Sequence, residues 1–91
     1  MKIVLNKCYG GFGLSKQAEE YLIENYDFEE VYAYEIDRTH EGLVKAVKEL
    51  GSKANGRFSE LKIVEIPDNI EWEISEYDGI ETVEEKHRKW R

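Results

Sequence analysis

One cysteine, one proline and no long apolar run mark what this 91-residue chain lacks. A lone Cys8 cannot close an internal disulfide. With no charged-then-apolar leader and no membrane-length segment, a reducing cytoplasm is the expected setting and no membrane is expected as a partner. Positive charge is also scarce: 13 basic residues stand against 20 acidic ones, a net charge of −7. The summed field therefore repels nucleic acids, and no direct nucleic-acid partner is expected. Linkers, repeats and low-complexity tracts are absent, so residues 1–91 read as one domain. In so small a chain a homodimer is an ordinary remedy for marginal stability.

Cofactor motifs are missing as well. The glycine-lysine pair of a phosphate-binding P-loop does not occur. The segment GFGLSK matches only the first two glycines of the dinucleotide fingerprint, with Lys16 where the third belongs. Glu35 or Asp37 lies where a ribose-binding acid is wanted, but a chain of this length has only half of such a fold. His40 and His87 have no Cys or His at metal-ligand spacing, so neither a metal nor a cofactor is expected.

The apolar pattern predicts an α/β (or α+β) domain. Ile3, Val4 and Leu5 form a short unbroken run, as in a strand buried on both faces. Leu14, Ala18, Tyr21, Leu22 and Tyr26 recur at helical spacing, and with Ser15 as cap they predict a helix over Ser15–Tyr26. Val31–Ile36, rich in β-branched and aromatic residues, reads as a second strand parallel to the first. A second helix is expected over Thr39–Leu50, capped by Asp37 or Thr39 and closed by Gly51.

Leu61–Ile66 reads as a third strand and Ile70–Ile74 as a fourth, paired as a hairpin across Pro67-Asp68-Asn69. Asp78 and Glu81 resemble a capping box for a last helix bearing Ile80, Val83, His87 and Trp90. The sum is a small three-layer β-α-β-α-β-β-α domain around a mixed four-stranded sheet. Its expected order is 2-1-3-4, with an antiparallel edge strand. A more open α+β sandwich is the alternative.

In the ordered sheet the segment NKCYGGFGLS falls at the switch point between the first and third strands. Its glycines could turn backbone N–H groups toward a ligand, and the following helix N-terminus adds positive potential, with Lys7 and Lys16 alongside. Tyr9, Gly10, Gly11, Phe12, Gly13, Ser15 and Lys16 are thus the candidate contacts for a small anionic, phosphorylated or nucleotide ligand. The competing reading is that the glycines only turn the chain. Cys8 and His87 are the candidates for catalysis, and an enzyme would need Cys8, Lys7, Lys16 or His87 to converge on one pocket. A helix N-terminus and lysines would lower the thiol pKa, but no arginine closes a phosphatase-like cradle, so a structural thiol is expected. The basic end, Lys86 to Arg91, reads as a complement to a helix C-terminus.

Taken together, KCYGGFGLS, ELKIVEIPDNIEWEISEYDG and EKHRKW resemble a family of small uncharacterised proteins encoded by bacteriophages, prophages and some bacteria. The resemblance implies an intracellular accessory protein acting in the host cytoplasm, and carries over no catalytic residue. The function expected from it is non-catalytic binding of a host protein, as in counter-defence, with an acidic surface suited to a basic nucleic-acid-binding groove. Sequestering a phosphorylated ligand at the glycine loop is the alternative, and a small enzyme using Cys8 or His87 is the second alternative.

Overall fold

A computed structural model describes residues 1–86 of the chain. It is an α+β arrangement of two helices and two separate two-stranded antiparallel sheets. Strand β1 (Lys2–Asn6) is followed by helix α1 (Lys16–Asn25), helix α2 (Glu41–Leu50) and a 3-10 turn over Gly51–Ala54. Strands β2 (Leu61–Glu65), β3 (Trp72–Tyr77) and β4 (Ile80–Glu85) complete the order. No helix among the described residues is long and apolar enough to cross a membrane.

Both helices form where their apolar spacing places them. The Ser15 hydroxyl accepts from the Ala18 N–H at 3.1 Å and so satisfies a donor that α1 cannot use internally. Helix α2 takes its cap from His40, whose Nδ1 accepts from Gly42 N–H at 2.9 Å, and not from Asp37 or Thr39. Asp37 instead binds the backbone and hydroxyl of Thr39, which hold its carboxyl below the usual range. Gly51 ends the helix at a positive φ of 59° that glycine adopts readily, with ψ −132° in place of the expected left-handed helical cap. Val4 packs with Ala18, Leu43, Val44, Val47 and Ala54 in a buried core between β1 and the helix pair, and Ile3, Leu5, Leu22 and Ala46 are fully buried as well.

A bond from the Tyr21 hydroxyl to Glu49 ties α1 to α2 at the surface. That bond, made only by the protonated phenol, pushes the Tyr21 pKa up to about 12. A folded-state pKa raised above the unfolded value of 10.0 contributes stability that is present below pH 10 and lost between pH 10 and 12. Glu49→Gln should return the Tyr21 titration toward 10, followed by NMR of the tyrosine rings. An unchanged midpoint would contradict the bond.

Three sequence expectations are corrected. Val31–Ile36 is not a strand: the N–H groups of Glu35 and Ile36 both donate to Tyr32 C=O, folding the segment into a local turn. Tyr32 and Tyr34 face solvent there, so the packing that gives aromatics their preference for strands is missing. With that strand gone, no parallel sheet forms among the described residues, and the 2-1-3-4 order and its switch point fall. β1 pairs antiparallel with β2, Ile3 opposite Val64 and Leu5 opposite Lys62. The expected hairpin across Pro67 is therefore not made.

The last helix is the third correction. Residues 80–85 are strand β4, paired with β3 across a two-residue turn. Asp78 and Gly79 both take positive φ, 52° and 92°, which is the backbone of a tight hairpin and not of a helix N-terminus. His87 and Trp90 lie outside the described residues.

Candidate functional site

The free edge of β1 decides where the hairpin sits. Leu5 and its odd-numbered neighbours face β2, which leaves Val4 and Asn6 with backbone groups pointing the other way. Val4 N–H donates to Arg38 C=O at 3.0 Å. Asn6 N–H donates to a Glu81 carboxylate oxygen at 2.8 Å. A carboxylate thus stands where a neighbouring strand would offer its carbonyl, and it brings β4 against the edge of β1.

Glu81 is buried, and its charge is matched. Arg38 reaches it with both terminal nitrogens, at 2.6 and 2.9 Å, in a bidentate pair. The same guanidinium lies 3.6 Å from the centre of the Phe12 ring and donates to Val4 C=O at 3.3 Å. Lys7, expected beside a ligand, donates to Glu81 C=O at 2.9 Å.

Asn6 is the second hub. Its amide donates to Cys8 C=O and to Gly79 C=O, at 2.7 and 2.6 Å, and its side-chain oxygen accepts from Glu60 N–H at 2.8 Å. One buried amide therefore joins the glycine loop, the start of β2 and the hairpin turn. Gly79 packs so closely that a Cβ there would lie 2.5 Å from the nitrogens of both Gly10 and Gly11. The glycine loop is thus the seat of the hairpin turn: its amides face Gly79, and Gly10 N–H makes a long 3.4 Å bond to Asp78 C=O.

Beside the seated turn lies an open cleft of about 720 Å³. Of the residues expected to hold a ligand, Tyr9, Gly10, Gly11 and Phe12 line it. Gly13, Ser15 and Lys16 do not; Ser15 caps α1 and binds Lys53 C=O, and Lys16 is the exposed first residue of the helix. The remaining walls come from Tyr34, Arg38, Glu76, Asp78, Gly79 and Glu81. With Arg38 matched by Glu81, the carboxylates of Glu76 and Asp78 leave the lining negative.

Cys8 is half-buried, and its thiol points at Phe58 C=O and the Asn6 side-chain oxygen, 3.4 and 3.6 Å away. Both are acceptors and neither is a base, so nothing bonded to the thiol would activate it. Among the described residues no three His, Cys, Asp or Glu side chains stand together as a metal site.

Sequence reasoning missed Asn6, Arg38, Glu76 and the true role of Asp78 and Glu81. A polar Asn6 ending a buried run was one available signal, and Asp78-Gly79 between alternating residues was another.

The hairpin itself is charged to an unusual degree. Asp68, Glu71, Glu73 and Glu76 precede its turn, and Asp78, Glu81, Glu84 and Glu85 occupy and follow it. These are eight of the chain's 20 acids, and none of its 13 basic residues falls between Asp68 and Glu85. The register sets Glu73 opposite Glu84 and Glu76 opposite Glu81. Like charges directly across a ladder destabilise it. The inner pair is relieved by Arg38 and by the Gly79 N–H, which donates to Glu76. Glu73 and Glu84 are exposed and make no ion pair among the described residues. No protein-family model, curated protein or solved structure matches the chain.

Proposed function

We propose that this chain is a non-catalytic binding protein that presents its acidic β3–β4 hairpin to a basic groove on a protein partner. The observation that carries the reading is the exposed Glu73–Glu84 pair, a destabilising like-charge juxtaposition within a stretch that has no base of its own. A cationic partner surface would relieve it and steer the encounter. Such a surface is what a nucleic-acid-binding groove offers, so the protein would compete with nucleic acid for the partner. A host protein bound in an infected cell, as in counter-defence, is the setting consistent with the phage-type resemblance. Glu76 and Asp78 in the cleft weigh against sequestration of a phosphorylated ligand there, because they repel it.

Affinity capture from host lysate tests the proposal, comparing the natural chain with Glu73→Lys/Glu84→Lys. The expected result is a basic protein retained by the natural chain, released by added duplex DNA, and lost from the reversed variant. Equal retention by both chains would overturn it.

A further inference from the structure

Resting on the reading of the hairpin as a partner-binding face, we infer that the cleft at its root receives an arginine side chain of the protein partner. The chain already builds such a site once, from its own residues. The Arg38 guanidinium lies 3.6 Å from the Phe12 ring centre and is clasped bidentately by Glu81. The rest of the lining repeats these ingredients: the rings of Tyr9 and Tyr34 and the carboxylates of Glu76 and Asp78. Among the described residues Arg38 is the only cationic one in the lining, and Glu81 already matches it.

Tyr34 is 83% exposed and Tyr9 70%, more than two half-apolar rings beside a cleft ordinarily leave in water. Solvated aromatics next to carboxylates that no cation among the described residues pairs suit a planar cation, which stacks on a ring while its N–H groups reach an acid. Lysine, a compact and strongly hydrated charge, uses only half of that arrangement. A metal ion suits it less, because the carboxylates do not converge as a ligand set. Tyrosine is also among the residues enriched at protein-binding hot spots.

The test is an amide NMR titration of the full chain with N-acetyl-arginine amide. The neutral, isosteric citrulline amide and inorganic phosphate serve as comparison probes. A single side chain should bind weakly, with a dissociation constant on the order of millimolar. Saturable shifts are expected at Gly10, Gly11, Tyr34 and Gly79 with the arginine probe. Binding should weaken roughly ten-fold or more with citrulline, which cannot form the charged bonds.

Asp78→Asn, which tolerates the same positive φ, and Tyr34→Ala, at an exposed turn, should each reduce the arginine response while leaving the Asn6 amide unshifted. Equal response to arginine and citrulline, response to phosphate in place of arginine, or no saturable shift in the folded chain would each overturn the inference. The probe needs no partner. A chain whose hairpin captures a basic protein while its cleft ignores the arginine amide therefore keeps the first reading and loses this one.

Discussion

Replacing Glu81 with alanine is expected to cost the fold about 3 kcal/mol or more, the largest loss of any single side chain on the hairpin. Three groups lose a bond at once, both terminal nitrogens of Arg38 and the Asn6 N–H, and Arg38 keeps only its 3.3 Å bond to Val4 C=O. Arg38 is 18% exposed at its side chain and Glu81 7%, so water reaches neither well enough to replace what is lost. Domains of this size hold roughly 5–15 kcal/mol in all, so the variant should sit near the edge of folding.

Urea unfolding measures the loss, and two further variants locate its origin. Glu81→Gln keeps an acceptor for Asn6 and should lose less. Arg38→Met/Glu81→Ala should cost less than the sum of its single changes, because the first change removes the charge that the second would strand. A loss below ~1 kcal/mol in Glu81→Ala would mean that β4 is not held against β1 by this carboxylate.

Gly79→Ala should be comparably severe, by a different cause. At φ +92 an alanine is strained, and its Cβ would stand 2.5 Å from two backbone nitrogens of the glycine loop. Backbone cannot swing aside as a flexible side chain would, so the turn has to lift off its seat. The Asn6–Gly79 bond would go with it. A loss of about 2–4 kcal/mol is expected, a fall of roughly 10–20 °C in the thermal midpoint.

Gly11→Ala is the matched control. Its φ of +116 is strained as well, but a Cβ there meets nothing within 4 Å. It should cost only the backbone term, about 1–3 kcal/mol, and leave the Asn6 amide protected from hydrogen exchange. If Gly79→Ala proves no worse than Gly11→Ala, the turn is not seated on the loop.

How much of this was legible in the sequence follows the range of each interaction. Helix α1, its Ser15 cap, helix α2 and its Gly51 stop rest on neighbours within a few residues, and each formed where its pattern lay. Runs of apolar residues marked β1 and β2 but not their pairing, because an apolar run says nothing about direction. Val31–Ile36 has the composition of a strand and no sheet to join. Ile80 and Val83 fit a helical stripe and a strand equally well, and the Asp78-Gly79 turn decided for the strand.

The site was half visible for the same reason. Tyr9, Gly10, Gly11 and Phe12 are adjacent in the chain and stood out as a loop. The acids that set its chemistry arrive from residues 76–81, and Arg38 comes from a turn between the helices. Their meeting depends on Glu81 capping an open strand edge across 75 positions of sequence. No local spacing encodes that, and so only the glycine half of the lining stood out in the sequence.

Glu84→Lys, measured for stability and for capture in one preparation, tests the central claim most directly. Opposite Glu73 the new lysine turns a repulsive cross-strand pair into an attractive one, which should raise the urea midpoint by the equivalent of ~0.5 kcal/mol. The same change should abolish retention of the basic partner. A hairpin whose charge serves only solubility would gain the stability and keep whatever it binds. A more stable chain that no longer captures its partner is the predicted result, and a more stable chain that captures it unchanged would contradict the account.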